Sequence, residues 1–195
     1  MRIKALFTSI MMLAAVSLFA QEGNAPVKKY GFKSAIVKIS TDMMGQTVQS
    51  TAYIDEYGAK ECQKVKMSVP GMGELESGSI MKDGKVWSVN YTMKQVQEVD
   101  LGAAKQPNFL ELTDEMKKEF KIQEVGKEKV LDKDCVVYTM ETETQGMTAK
   151  LKVWCYKGFT LKSVTEISGM AITATATDFQ EDAMVLPQVF DVPKY

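Results

Sequence analysis

The 195-residue chain carries a formal net charge of −1, contains no histidine and has a single arginine, Arg2. Without histidine, histidine-based acid–base catalysis, Ser-His-Asp or Cys-His nucleophiles and histidine metal sites are excluded, and we expect no enzyme activity, metal or cofactor. A mildly acidic chain also lacks the basic surface that binds nucleic acid or an anionic membrane, so no nucleic-acid partner is expected.

The first twenty residues have the pattern of a cleaved export signal. Arg2 and Lys4 precede a short apolar run over 5–19, and a small residue stands at position 20. The run is shorter than the ~20 residues that span a membrane, and the alternative is a retained anchor or a buried helix. No cysteine stands at the cleavage point, which disfavours a lipid anchor. We predict a signal peptide at 1–20 and one monomeric domain at 21–195, periplasmic or secreted.

Strand patterns fill the first half of the domain. Three strands are predicted, over 30–40, 47–54 and 59–69. In the third, apolar residues alternate with polar ones, whereas in the first they fall on both phases, which indicates a bulge or a strand covered on both faces. Residues 70–73 contain proline and two glycines and predict the start of a flexible loop. Asp83-Gly84 is a typical hairpin signal and joins a strand at 79–81 to one at 86–93. Residues 96–106 are predicted as a loop.

One amphipathic helix is predicted over Phe109–Phe120, with Asn108 as its N-cap. Thr113 offers an alternative in which the helix breaks into two shorter turns. The apolar residues of this helix recur at spacings of three and four and form one stripe: Phe109, Leu112, Met116 and Phe120. The apolar face of the preceding strand alternates with polar residues and consists of Trp87, Val89, Tyr91 and Met93.

The second half resumes the sheet over 122–130 and continues as an antiparallel meander, with predicted turns at Gln145-Gly146, Lys157-Gly158 and Ser168-Gly169. A two-residue turn at Gln145-Gly146 would place apolar residues opposite apolar residues, and a negative charge opposite a positive one, on the two strands that it joins. It sets three pairs opposite each other: Tyr138 with Val153, Met140 with Leu151, and Glu141 with Lys150. The proline-rich tail over 185–195 is expected along an edge of the sheet or across one end.

Three cysteines remain, Cys62, Cys135 and Cys155. An odd number in an exported protein indicates one bridge and one free thiol, or no bridge. The register just described places Cys135 and Cys155 on opposite faces of the sheet, whereas a β-bulge would bring them together. The candidate disulfide Cys135–Cys155 therefore stays open from the sequence.

About ten antiparallel strands must curl, so we predict a mainly β (α+β) fold, a strongly curved sheet or unclosed β-barrel with a helical lid on its concave face. Paired carboxylates such as Asp55-Glu56 have the pattern of solvated surface, and no catalytic residue is predicted. The candidate site is a hydrophobic cavity whose flexible methionines suit ligands of varied shape. Its predicted lining is Trp87, Val89, Tyr91, Met93, Phe109, Leu112, Met116, Phe120, Met140, Leu151 and Val153.

Five segments in order carry a family resemblance. They are Gly84-Lys-Val-Trp-Ser-Val-Asn-Tyr, Asn108-Phe-Leu, Gly126-Lys-Glu-Lys-Val with Asp134-Cys, Val153-Trp-Cys-Tyr-Lys-Gly-Phe-Thr-Leu-Lys, and Leu186-Pro with Phe190-Asp-Val-Pro. Over nearly all of 21–195 the chain resembles exported relatives of the Lol-type outer-membrane lipoprotein carriers. The resemblance implies an unclosed β-barrel, helices that plug its mouth, and a periplasmic cavity for acyl chains. The carriers latch a lid of several helices with an arginine, whereas this sequence has one predicted helix and no arginine after Arg2.

These observations lead to two functional hypotheses. The first is a non-enzymatic periplasmic carrier or chaperone that binds a hydrophobic ligand, an acyl chain or a lipoprotein, in a half-barrel cavity. The alternative is an exported structural or interaction module of the cell envelope that binds an envelope protein and takes no ligand. An enzyme, such as a hydrolase, is the weakest of the readings.

Overall fold

The computed structural model describes residues 28–43, 45–69, 71, 73–100, 107–144 and 147–195. The predicted signal peptide at 1–20 and the Gln145-Gly146 turn lie outside the described residues. The described part of the chain forms one antiparallel sheet of eleven strands. The strands are β1 (Ala35–Met43), β2 (Gln46–Asp55), β3 (Lys60–Val69), β4 (Gly73–Lys82), β5 (Lys85–Asn90), β6 (Gln95–Val99), β7 (Gln123–Val130), β8 (Lys133–Thr144), β9 (Met147–Tyr156), β10 (Phe159–Ile167) and β11 (Met170–Glu181).

The sheet is built from two meanders that meet at its centre. The strand order is β6-β5-β4-β3-β2-β1-β11-β10-β9-β8-β7. The strands that come first and last in the chain, β1 and β11, therefore pair with each other at the centre of the sheet. Strands β6 and β7 form its two edges and the sheet does not close. The predicted fold, a mainly β protein with an unclosed antiparallel sheet, is confirmed.

Short hairpins connect the strands as the glycine signals predict. Asp83 and Gly84 have φ of 53° and 71°, and Lys82 pairs directly with Lys85. Positive φ at both central residues is the signature of a type I′ turn, whose twist matches that of the flanking strands. In the Lys157-Gly158 and Ser168-Gly169 turns, φ is likewise positive at both central residues.

Two loop predictions in the first half are wrong. Pro70 and Met72 lie outside the described residues, but no loop follows Gly73, because β4 begins there and Gly73 pairs with Val69. Residues Gln95–Val99 form the edge strand β6, paired with β5, instead of belonging to a loop. Glycine and glutamate, which occur in these segments, are depleted in strands, and here pairing with a neighbouring strand overrides that preference.

The helix is shorter than its apolar stripe predicts. Helix α1 covers only Asp114–Glu119, and the Thr113 side chain caps it by accepting a hydrogen bond from the Met116 N–H at 3.2 Å. Asn108 caps a separate turn, in which its Oδ1 accepts from the Leu110 N–H at 3.0 Å. The break at Thr113 is therefore the correct reading, because this residue satisfies the N–H groups of a new helix start. None of the described helices has the length and hydropathy needed to cross a membrane.

The buried side chains form two clusters. The larger one combines the N-terminal segment, through Tyr30 and Phe32, with the central strands and with Trp154 and Phe159. The smaller one contains Cys62, Ile80, Val89 and, from the tail, Phe190. Phe190 ends a 3₁₀ helix at Pro187–Phe190, which packs against β3 and β4. The tail thus covers a face of the sheet, not an edge or an end as the sequence predicts.

Candidate ligand-binding surfaces on two faces of the sheet

Cross-strand pairing assigns each predicted site residue to a face, because directly paired residues point to the same side of a sheet. One row of paired residues is Val153–Ser163–Ala174–Thr41, and a second begins two residues away on β1 and runs Ile39–Ser50–Val65–Ser77–Asn90. Residues two apart on a strand share a side, so both rows, including Asn90, lie on the side of Val153. Successive residues point to opposite sides, and Val89, which precedes Asn90, therefore faces the other side. We name the side of Val153 face A and the side of Val89 face B.

The predicted lining of a single cavity is therefore divided between two faces. Face A carries Met140, Leu151 and Val153, of which Met140 pairs with Leu151. Face B carries Trp87 and Val89. The sheet itself separates the two sets, so they do not line one cavity, and this part of the sequence prediction is wrong. Their binding of a ligand stays a prediction.

The outer end of the predicted strand face is open to solvent. Strand β5 ends at Asn90, and Tyr91 and Met93 lie in the turn that leads to β6. Tyr91 is half-buried and packs with the smaller cluster, whereas Met93 is 61% exposed. The alternating pattern continues past the end of the strand, and for this reason Met93 looked like an inward residue in the sequence.

Face A is partly covered by the segment that contains α1. The ring of Phe109 lies 5.4 Å from that of Tyr138, which pairs with Val153 on this face. The four residues of the helical stripe are half-buried, and the sheet beneath contains the buried Met140 and Val153. None of the residues of α1 itself is buried. Phe109 thus lies against face A, and all four residues of the stripe are only half-buried.

A salt bridge ties the end of this segment to β8. Lys121 Nζ donates to Glu141 Oε2 at 2.7 Å, and this bond lowers the pKa of the Glu141 carboxyl. Nearby, the Glu141 N–H donates to the carbonyl oxygen of Phe120 at 3.2 Å. The family resemblance implies an arginine latch for the lid, and here a lysine joins the α1 segment to the sheet. The sequence gives no local signal for this pairing, since the partners are 20 residues apart.

A buried charged group fixes the N-terminal segment on face A. Glu61 has only 2% of its side chain exposed; Lys29 Nζ donates to its Oε1 at 2.9 Å and Tyr30 OH to its Oε2 at 3.4 Å. Burial raises the pKa of Glu61 to about 7, and the charge of Lys29 limits the rise. Burial also raises the pKa of Tyr30, whose ring stacks on Phe32 with centroids 5.3 Å apart. Sequence reasoning missed this group, because Lys29 and Glu61 are 32 positions apart and no local pattern connects them.

Face B of the first meander is covered by the tail. A row of directly paired residues crosses β2 to β5 and consists of Tyr53, Cys62, Ile80 and Trp87. Phe190 is 2% exposed and packs with Cys62, Ile80 and Val89. Val185, Val189 and Val192 pack against the same cluster. The sequence indicated the apolar strand face but gave no sign that the chain's own tail covers it.

The cysteines and the acidic residues of the described part of the chain were candidates for a bridge or a metal site. All three cysteines are buried free thiols, so the candidate bridge between Cys135 and Cys155 is not formed in this structure. Cys155 pairs directly with Val136, and Cys135 consequently points to the opposite face. Burial raises the pKa of Cys62 to about 11 and that of Cys155 to about 12. Within the described ranges no three His, Cys, Asp or Glu side chains are grouped so as to hold a metal ion.

Comparison with known structures shows that the fold resembles part of MucB. A structure of MucB aligns at a TM-score of 0.53 with 13% sequence identity, covering 85% of this chain and 59% of that one. The complex of Pseudomonas aeruginosa MucA and MucB aligns at 0.52 with 14% identity, covering 82% and 56%. This chain has the fold of the aligned part of MucB. It spans a little over half the length of the MucB chains.

Smaller proteins match with lower scores. A Vibrio parahaemolyticus domain named for outer membrane lipoprotein sorting aligns at a TM-score of 0.41 with 12% identity, covering 83% of this chain and 90% of that one. The Mycobacterium tuberculosis lipoprotein LppX aligns at 0.40 with 12% identity, covering 94% and 99%. No protein-family model and no curated protein matches the chain by sequence.

Proposed function

We propose that the protein is a non-enzymatic carrier or chaperone of the cell envelope that binds an apolar, lipid-like ligand on face A, beneath the segment that contains α1. The observation that carries the proposal is the incomplete packing of this segment. Its four stripe residues are half-buried, although Met140 and Val153 on the sheet beneath are buried. An acyl chain inserted under the segment would bury the apolar surface of the stripe that now stays in contact with solvent.

The cover is also suited to movement. Helix α1 has six residues, and isolated helices of this length are marginal in water without tertiary packing. The contacts of the segment with β8 include the ring contact of Phe109, the backbone bond at Phe120 and the exposed Lys121–Glu141 pair, and Asn108 Nδ2 also donates to the Lys28 carbonyl oxygen at 3.2 Å. Exposed ion pairs contribute little to stability. A segment held in this way can open for a ligand at low cost.

The likeness to known structures supports the class of function, not the ligand. MucB, whose fold the chain shares, has been crystallised with the protein MucA, and a looser match is named for lipoprotein sorting. Both are consistent with a protein that binds other molecules of the envelope. We extend neither the MucA partnership nor a sorting role to this chain.

The test compares two methionines that the sequence assigned to the same cavity. The purified protein is titrated with a fluorescent fatty acid, and native mass spectrometry is used to look for lipid retained from the host. Met140→Gln should weaken binding about tenfold or more, because a buried methionine contributes roughly 1.5–3 kcal/mol of apolar burial. Met93→Gln is the matched control, and binding should be unchanged because Met93 is 61% exposed. Absence of saturable binding, or equal loss in both variants, would contradict the proposal.

A second candidate is a protein-interaction module without a ligand. The open sheet favours it, because β6 and β7 are edge strands in the described part of the chain. Edge strands can pair with an extended peptide. In-cell crosslinking from β6 to an envelope protein, together with an empty face A in native mass spectrometry, would favour this function over the carrier.

A further inference from the structure

Face B carries an apolar strip that lies beneath the chain's own C-terminal segment, residues 184–195. Its centre is the row Tyr53–Cys62–Ile80–Trp87, which crosses four neighbouring strands. Strands in a sheet are about 4.8 Å apart, so the row is about 14 Å long. Cys62 and Ile80 are at most 1% exposed. The strip is thus long, narrow and apolar, which is a shape that suits a linear chain better than a bulky ring system.

Side chains, and not a backbone ladder, hold the cover on this strip. Among the described residues, the backbone hydrogen bonds within 184–195 run from Val189 N to Leu186 O and from Asp191 N to Gln188 O, inside the 3₁₀ helix. The last backbone bond to the rest of the molecule precedes this segment, at Asp182 N to Ser34 O (2.8 Å). The cover can therefore lift beyond Ala183 without breaking any strand pairing.

The cover leaves much of its own apolar surface in water. Met184, Leu186 and Tyr195 are 87%, 60% and 59% exposed, although they belong to the same segment as the buried Phe190. An apolar segment that buries only part of its surface gains less from docking than one that is fully packed. Its hold on the strip is therefore concentrated on Phe190 and the three valines around it.

Phe190 and Asp191 together have the chemistry of an anionic amphiphile. The phenyl ring fills the apolar cluster on face B, and the next residue places Asp191 Oδ1 3.9 Å from Lys82 Nζ. Lys82 lies two residues beyond Ile80 on β4 and so points to the same face. An apolar group with a carboxylate beside a lysine is also what a fatty acid would present at this place.

We propose that face B is a second binding site, which takes a single aliphatic chain with an anionic head group in place of Phe190 and Asp191 when residues 184–195 lift. The aliphatic chain lies along the Tyr53–Trp87 row, and the head group pairs with Lys82. The site is separate from the one proposed on face A, since the sheet lies between them. It therefore stands or falls independently of the carrier function proposed above.

The test uses the position of the two tryptophans. Trp87 belongs to the strip, and Trp154 belongs to the other buried cluster. In a Trp154→Phe variant, a brominated stearate should quench Trp87 fluorescence in a saturable manner. In a Trp87→Phe variant, any quenching of the remaining Trp154 would report binding on face A, and Phe190→Ala should leave it unchanged. Met140→Gln, which alters face A, should leave the quenching of Trp87 unchanged.

Removal of the cover should strengthen binding. Phe190→Ala in the Trp154→Phe background is expected to lower the apparent Kd about tenfold, because the competent, uncovered state becomes more populated. Lys82→Ala should weaken binding of the brominated stearate and leave binding of a brominated fatty alcohol unchanged. An apparent Kd that Phe190→Ala does not lower would overturn the proposal, and so would the absence of Trp87 quenching in both forms.

Thiol alkylation keeps these results interpretable. Cys62 lies under the cover, whereas Cys135 and Cys155 belong to other parts of the core. In a folded Phe190→Ala variant, Cys62 should react faster with iodoacetamide, and Cys135 and Cys155 should stay protected. If all three react, the variant is unfolded, and Val189→Ser takes its place with the same expectations. Equal protection of Cys62 in the wild type and in a folded cover variant counts against a removable cover.

Discussion

Lys121 Nζ and Glu141 Oε2 lie 2.7 Å apart, and this pair connects the segment that carries α1 to strand β8. We predict that Lys121→Ala speeds amide hydrogen exchange over 114–122 and leaves exchange in β8 and β9 unchanged, because the variant loosens only the cover. The thermal midpoint should change little, since the pair is exposed. Lys118→Ala, on the exposed side of the same helix, is the control. Equal exchange in both variants would show that the pair does not hold the segment.

A second prediction concerns pH. The pKa of Glu61 is about 7 in the folded protein, mainly through burial, and lies near 4.5 without the fold. A carboxyl whose pKa is raised by folding stabilises the protein fully below the unfolded pKa and loses that contribution as pH rises through the folded one. Between pH 4.5 and 7 Glu61 should therefore reduce the free energy of unfolding, by an amount on the order of 3 kcal/mol.

Urea unfolding at pH 5 and pH 8 measures this effect. Glu61→Gln should flatten the pH dependence, because the amide does not titrate and still accepts a hydrogen bond from Lys29. Glu56→Gln is the matched control, since Glu56 is exposed and pairs only with the nearby Lys60. A pH dependence that survives in Glu61→Gln would mean that another group is responsible.

A third prediction concerns a glycine without an unusual φ. A Cβ atom on Gly78 would lie 2.1 Å from the carbonyl oxygen of Gln63 on the neighbouring strand, closer than any real contact. Because the obstacle is backbone, Gly78→Ala should lower the free energy of unfolding by about 1–3 kcal/mol. Gly45→Ala is a useful comparison: Gly45 has φ of +78° and open space, so that variant has backbone strain but no clash. Chemical denaturation of the two variants measures the free energy lost to the steric clash in one and to the backbone strain in the other.

A fourth prediction concerns the thiols. Unfolding the protein without a reductant should release three free thiols per chain, because the structure has Cys62, Cys135 and Cys155 all reduced. In the native protein the thiols should react slowly at pH 8, since burial raises the pKa of Cys155 to about 12 and so keeps its thiolate scarce. A count of one free thiol in the unfolded protein would instead establish a bridge.

The sequence predicted best what depends on neighbours in the chain. The hairpin signal at Asp83-Gly84 and the register that sets Met140 opposite Leu151 and Glu141 opposite Lys150 are all confirmed. These features follow from local backbone preference and from pairing across a short connection. The predicted helix was too long, because the apolar spacing continues through Thr113. The side chain of this residue favours the start of a new helix over the continuation of the previous one.

What the sequence could not predict depends on contacts between distant residues. Nothing near Trp87 indicates that Phe190, about a hundred positions later, packs on its face of the sheet. The division of the predicted cavity into two faces follows from counting residues across β1 and β11, whose pairing no local pattern specifies. The buried Lys29–Glu61 pair is another such contact, between residues 32 positions apart.

The pairing of β1 with β11 has a consequence for how the molecule assembles. Strands β1–β6 and β7–β11 are each chains of sequential hairpins, which can zip up as they emerge, but the seam between them joins Ala35 to Glu181. Contacts between such remote residues form slowly, because a long loop must close first. During synthesis, the edge of β1 that pairs with β11 therefore stays unpaired until the last strand of the sheet has been made. A helper that shields nascent strand edges would be most valuable to this protein in that interval.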